Sequence, residues 1–185
     1  MDPATMGNFY VYLVSSLPAL MFGMKPPFSY ENFLKRCERL IPEKDIETLS
    51  AIPALAGSLC AEVRNETLKK WVLFDTLLRN ELVKVRAQRR GLDAAKYLRQ
   101  DGCPESAHTA HVAINAYRKP SLIEAERTLD AERWHYLDEL SAGHYFDLDT
   151  LVIYACKLLI SEKWDRVRAA DAGGLLEVSL AAGVS

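Results

Sequence analysis

The run "DLDTLVIYACKLLISEKWDRV" constrains this chain more than any other. From Leu151 to Ile160 it is apolar on nearly every side of a helix. An amphipathic helix can lie on a surface, but one that is apolar all round must be enclosed by other elements. The run therefore predicts a central, most buried helix with the rest of the chain packed around it. What surrounds it also reads as helical. Gly and Pro are scarce after residue 57, and apolar residues recur at helical rather than alternating spacing. The expected fold class is mainly α, a single helical domain or bundle, with a short strand or irregular segment at the N-terminus.

Cap residues mark the helix boundaries. Ser29 caps "SYENFLKRCERLI", in which Phe33, Leu34, Cys37, Leu40 and Ile41 fall at helical spacing. Pro42 suits the first turn of "PEKDIETLSAI". A long helix is predicted from about Ser58 or Asn65 to Arg90, with Trp71, Phe74, Leu78, Leu82 and Val85 as its core stripe and Gly91 as its stop. Asp93 caps the short "DAAKYLRQ", and Pro104 starts "PESAHTAHVAINAY". "SLIE" at Ser121–Glu124 is a capping box, opening a helix that runs to about Ser141 with Gly143 beyond it. Trp71 and Trp134 each head an apolar stripe and read as buried anchors.

The N-terminus poses a membrane question, because no charged residue occurs between Asp2 and Lys25. Asn8, Ser15, Ser16, Pro18 and Gly23 interrupt that run, and Pro18 opposes a continuous helix from Phe9 to Met24. No Lys or Arg precedes it, as a secretory signal requires. "NFYVYLV" reads as a short strand or a helix lying in a core, and "SLPALMFGMKPP" as a turn-rich crossing. Residues 1–5 are set aside as an expression remnant or alternative start. Residues 6–170 are read as one helical domain, and residues 171–185, with their Gly pair, as a flexible tail or docking segment.

Net charge is −2, which argues against a surface built to hold nucleic acid or anionic lipid. Cys37, Cys60, Cys103 and Cys156 form no C-x-x-C, so neither a zinc knuckle nor a redox pair is indicated. Cys37, Cys60 and Cys156 sit among apolar neighbours and read as reduced thiols of a cytosolic protein.

Phosphate loops, dinucleotide fingerprints and nucleophile elbows are absent from the sequence. One metal constellation needs testing. "ESAH" (Glu105, His108) and "ERWH" (Glu132, His135) are two Glu-x-x-His steps, the motif of di-iron bundles, with Glu62 or Glu81 as further candidates. Yet Trp134 and Leu137, not Glu132 and His135, read as the inward residues. Cys103 with His108 and His111 lacks a fourth ligand. No cofactor or metal is assigned.

Charge pattern is more informative. "RNELVKVRAQRR" carries Arg79, Lys84, Arg86, Arg89 and Arg90 against Glu81, a net +4. "EAERTLDAERWHYLDE" carries Glu124, Glu126, Asp130, Glu132, Asp138 and Glu139 against Arg127 and Arg133, a net −4. The two helices either pair with each other or each meet a different partner. Under the second reading, Arg79, Lys84, Arg86, Arg89, Arg90, Glu124, Glu126, Asp130, Asp138 and Glu139 are the partner-binding residues. Nucleic acid is disfavoured, because no aromatics interleave the arginines and Ala87 and Gln88 dilute them.

Three stretches carry a family resemblance: "YVYLVSSLPALMFG" with "PPFSYENFLKRC", then "FDTLLRNELVKVRAQRRG", then "EAERTLDAERWHYLDELSAGHYFDLDTLVIYACKLLISEKW". Together they resemble an uncharacterised bacterial family encoded within V-type (A-type-like) ATPase gene clusters, beside the genes for one of the stalk proteins and for the catalytic component. The resemblance spans Asn8 to about Trp164. It implies a counterpart of the C/d connector, an all-helical socket joining the central stalk to the membrane rotor ring. It implies a non-catalytic protein, cytoplasmic and peripheral to the inner membrane, with V/A-type ATPase subunits as partners and no membrane insertion. An ATPase assembly or regulatory factor and a di-metal helical-bundle enzyme are the alternatives. The family offers no established functional residues to carry over.

Overall fold

The computed structural model describes residues 3–55, 63–99 and 106–182. Helix α1 spans Pro3–Ser16, α2 Tyr30–Cys37, α3 Glu43–Ala51, α4 Glu66–Arg90, α5 Ala107–Tyr117, α6 Leu122–Leu140 and α7 Leu148–Ala182. Two 3-10 turns, Ile52–Leu55 and Ala94–Tyr97, complete the regular structure, and no strand occurs among the described residues. The fold is mainly α.

Helix α7 is the axis. Leu151, Val152, Ile153, Ala155, Cys156, Leu158 and Ile160 are all buried, as a helix apolar on every side requires. It touches α1, α2, α3, α4, α6 and the first 3-10 turn. Around it lies the main core, in which Leu13, Phe33, Leu49, Leu137 and Leu158 are almost wholly buried. Burying each such side chain contributes about 1.5–3 kcal/mol. A second, smaller core joins α4, α5 and α6 through Phe74, Leu78, Leu82, Val112, Ala113, Ala116 and Leu129. Phe74 and Tyr136 stack there with ring centroids 4.0 Å apart. Trp71 packs against both cores but is only partly buried, so it is a bridge between them rather than the fully enclosed anchor its stripe predicts. Trp134 is buried, with Phe22 edge-on at 5.7 Å.

Caps place most boundaries. Ser29 Oγ accepts the Asn32 N–H at 3.3 Å, Asn65 Oδ1 the Leu68 N–H at 2.7 Å, and Ser121 Oγ the Glu124 N–H at 3.1 Å. Helix α4 ends on Gly91 at φ 65°, where a left-handed residue closes the last turn. The start of α5 differs from expectation: Ser106 is the cap, and Pro104 lies outside the described residues. Ser58, the earlier alternative start of the long helix, also lies outside them.

The N-terminus is helix rather than strand. Helix α1 begins at Pro3, inside the segment set aside as a remnant, and stops at Ser16, two residues before Pro18. Aromatic and β-branched residues are compatible with a helix when tertiary packing holds it. Here Leu13 enters the main core, and the Tyr10 hydroxyl donates to the buried carboxylate of Asp45 on α3. Burial first, and Asp45 next, push the Tyr10 hydroxyl above its ordinary range, so it remains a donor. The following segment crosses α6 and α7 without regular structure. Tyr154 donates to the Pro18 carbonyl at 3.0 Å, and Arg168 to the Gly23 carbonyl. Gly23 sits at φ 80° with an Arg127 nitrogen 3.3 Å from where a Cβ would stand. No helix of the described residues is long and apolar enough to cross a membrane.

The segment read as a flexible tail or docking segment is helical as far as it is described. Helix α7 continues past residue 170 through Gly173 and Gly174 to Ala182. A glycine within a helix costs only about 1 kcal/mol relative to alanine, and the Ala- and Leu-rich surroundings favour continuation.

Candidate functional site

Six charged or polar side chains from α4, α6 and α7 form one connected network. Asp75 on α4 accepts from Arg79 Nε at 2.7 Å and from Arg133 Nε at 2.7 Å. Arg133 Nη1 also donates to Asp130 at 2.7 Å. Asp130 then takes Lys163 Nζ at 2.8 Å and Trp164 Nε1 at 3.0 Å from α7. Asp130 is 2% exposed and Arg133 9%. Charges this deeply buried persist only when paired and hydrogen-bonded. Burial works against the Arg133 cation, but Asp75 and Asp130 outweigh it and hold the guanidinium above its ordinary pKa.

This network decides how the oppositely charged helices behave. Acidic α6 is answered chiefly by α7 and by its own Arg133, not by the basic end of α4. Lys163 reaches Glu126 at 2.9 Å as well as Asp130, and Lys157 pairs with Asp138. Glu139 lies 3.5 Å from His135, and Glu124 stays exposed at the helix start, where its charge suits the dipole. Of the acidic candidates for a partner surface, Asp130 is therefore removed: it is an internal strut. Arg79 is half-buried and tied to Asp75, so it too serves the network. Lys84 pairs with Glu81 at 2.9 Å. Arg86, Arg89 and Arg90 are exposed, and Arg89 lies 5.5 Å from the centroid of the Tyr117 ring.

Two clefts flank the network. One, of about 290 Å³, runs between the first 3-10 turn, α4 and α7, over Trp71, Asp75 and Arg166. The other, of about 360 Å³, lies between α4, the Ala94–Tyr97 turn and α6, with Asn80, Arg86, Tyr97, Arg99 and Glu126 among its walls. Sequence reading missed this second cleft, because Arg99 lies outside the arginine-rich run of α4.

The two Glu-x-x-His steps meet only in part. His108 on α5 hydrogen-bonds Glu132 on α6, at the surface. His135 is exposed, and Glu81 is committed to Lys84. Glu62, Cys103 and Glu105 lie outside the described residues. His111 faces outward with Asn115 at 3.3 Å. A different trio, His144, Asp147 and Asp149, gathers within 4.8 Å at the start of α7. Asp147 accepts the Thr150 N–H at 2.9 Å and its hydroxyl at 2.8 Å, and Asp149 accepts from Asn65 at 3.0 Å. These bonds give Asp147 capping work at the N-terminus of α7 and tie Asp149 to the N-cap residue of α4. Cys37 and Cys156 are buried free thiols, and burial pushes Cys37 up to about 12. Neither is a poised nucleophile. Cys60 and Cys103 lie outside the described residues.

Residues 102–174 match a family model described as a protein of unknown function (DUF2764). The matched segment takes in α5, α6 and most of α7. No curated protein and no solved structure gives a significant match.

Proposed function

We propose that this chain is a non-catalytic, helical component or accessory protein of a bacterial V/A-type rotary ATPase, acting as a central-stalk connector of the C/d kind. It would work in the cytoplasm, held to the inner membrane only through the ATPase, and pass torque as a rigid block. The family identity rests on the resemblance of the three stretches quoted above. One observation supports docking in particular: Arg86, Arg89 and Arg90 stand exposed at the end of α4 while the acidic helix is occupied by α7. Cations left over from the internal network steer an acidic partner by long-range attraction, which salt weakens. The rigid support is α7 with its three-helix ion network.

The test is affinity purification from the native cell, with wild-type protein and with Arg86, Arg89 and Arg90 changed to Glu. The wild type should bring down ATPase stalk proteins, and the folded triple variant should not. A folded variant that still captures the stalk moves the contact elsewhere, with Glu124 and Glu139 next. A wild type that captures no part of the ATPase removes the proposal.

A further inference from the structure

The cleft between α4, the Ala94–Tyr97 turn and α6 carries an inference that goes beyond the connector reading and does not depend on it. Five cations line it: Arg79, Arg86, Arg99, Arg133 and Lys163. Among the described residues only one carboxylate, Glu126, lines it with them. Behind the wall, Asp75 and Asp130 occupy Arg79, Arg133 and Lys163, and Glu126 shares Lys163. Among the described residues, five cations set against these three carboxylates leave a surplus of two. That surplus sits on Arg86 and Arg99, which have no carboxylate partner among the described residues.

Arg99 is held in place through its backbone. Asn80, 6% exposed, accepts the Arg99 N–H at 2.9 Å and donates to its carbonyl at 2.7 Å. The buried amide thus fixes the backbone of a cationic residue that lines the same cleft as Arg86. Tyr97, two residues earlier on the same pinned segment, is 57% exposed and also lines the cleft, with Val83 and Leu129 as apolar floor. A volume of about 360 Å³ falls within the usual range for small-molecule sites.

We infer that this cleft binds a small organic phosphate monoester, its dianion between Arg86 and Arg99 and its ring or hydrocarbon part against Tyr97. The charge fits: a monoester carries close to −2 above its second pKa of about 6, which matches the surplus. Guanidinium forks also match phosphate oxygens better than any other side chain does. An acidic peptide would need an elongated basic track, whereas these cations line a single cleft.

Phenyl phosphate serves as the probe, titrated calorimetrically into the full-length protein at pH 7.5, with inorganic phosphate in parallel. Saturable one-to-one binding is expected, tighter for phenyl phosphate than for inorganic phosphate. Arg86→Gln and Arg99→Gln should each weaken it about 10-fold, the loss of one hydrogen bond to a charged group. Tyr97→Ala should reduce phenyl phosphate to the affinity of inorganic phosphate. Arg89→Gln with Arg90→Gln, cations outside the cleft, should bind like wild type. That control separates this site from the docking surface, since it weakens stalk capture without touching the cleft. The inference is overturned by absence of saturable binding in a folded protein. It is equally overturned if the Arg89/Arg90 variant loses as much affinity as the cleft variants, or if a poly-glutamate peptide, but not phenyl phosphate, binds through Arg86 and Arg99.

Discussion

The side-chain amide of Asn80 clasps the backbone of Arg99 from both sides, donating to its carbonyl at 2.7 Å and accepting its N–H at 2.9 Å. The pair joins a buried position in the middle of α4 to an irregular segment nineteen residues on. An asparagine in a helix interior is a modest helix former. Its presence here is explained by the two backbone groups it holds.

Asn80→Leu keeps the volume and removes both bonds. Losing these two part-buried hydrogen bonds costs about 0.5–1.5 kcal/mol each. The Arg99 amide should exchange with deuterium far faster in the variant, and the urea midpoint should fall. An unchanged exchange rate would mean that other contacts hold the segment.

Arg133→Met tests the three-helix network. Removal of one partner of a buried ion pair costs up to about 3–5 kcal/mol when the other is left uncompensated. Here Asp75 keeps Arg79 and Asp130 keeps Lys163 and Trp164, so the loss falls at or below the lower end of that range. Chemical denaturation should report that loss. The contrasting variant is Lys35→Ala, which breaks the solvent-exposed Glu31–Lys35 pair of α2 and should leave the midpoint within error. Equal effects for the two variants would contradict the burial argument.

Trp134→Ala should cost about 3–5 kcal/mol, since the indole is buried against Phe22 and Lys157. For a chain of this size that corresponds to a drop of roughly 6–20 °C in Tm. Trp71→Ala should cost less, because its side chain is partly in water already. Calorimetry that ranks the two in the opposite order would show that the junction between the cores matters more than the main core.

Asp147 should contribute to acid sensitivity. Burial alone would raise its pKa, but hydrogen bonds from His144 and from the Thr150 N–H and hydroxyl outweigh it and hold the carboxyl below its usual value. A depressed folded-state pKa means the unfolded chain binds the proton more tightly. The stabilisation is therefore complete above the unfolded value, near 4, and is lost as pH falls through the lower folded value. Asp147→Asn should lower stability at pH 7 and flatten its decline below pH 4. Parallel stability curves for variant and wild type over that range would rule this out.

Sequence alone determined the helical class, the central place of Leu151–Ile160 and most of the caps, because these depend on local chemistry and on periodicity within one segment. Ser29, Asn65, Asp93 and Ser121 each satisfy N–H groups only two or three residues away, so their roles are visible without a fold. Local preference misleads where tertiary contacts compete with it. The aromatic N-terminal run is helical because Leu13 and Tyr10 have partners on distant elements, and Trp71 is half-open because it lies where two cores meet. The charged helices make the same point most clearly. Their net charges were legible as +4 and −4, but which cation meets which carboxylate was not. Only folding brings Lys157 and Lys163 of α7 onto α6, sinks Asp130 out of reach of any partner, and brings Arg86 and Arg99 to the lining of one cleft. Charge is a property of residues, but neutralisation depends on distance and burial, and those are set by the packing of the whole chain.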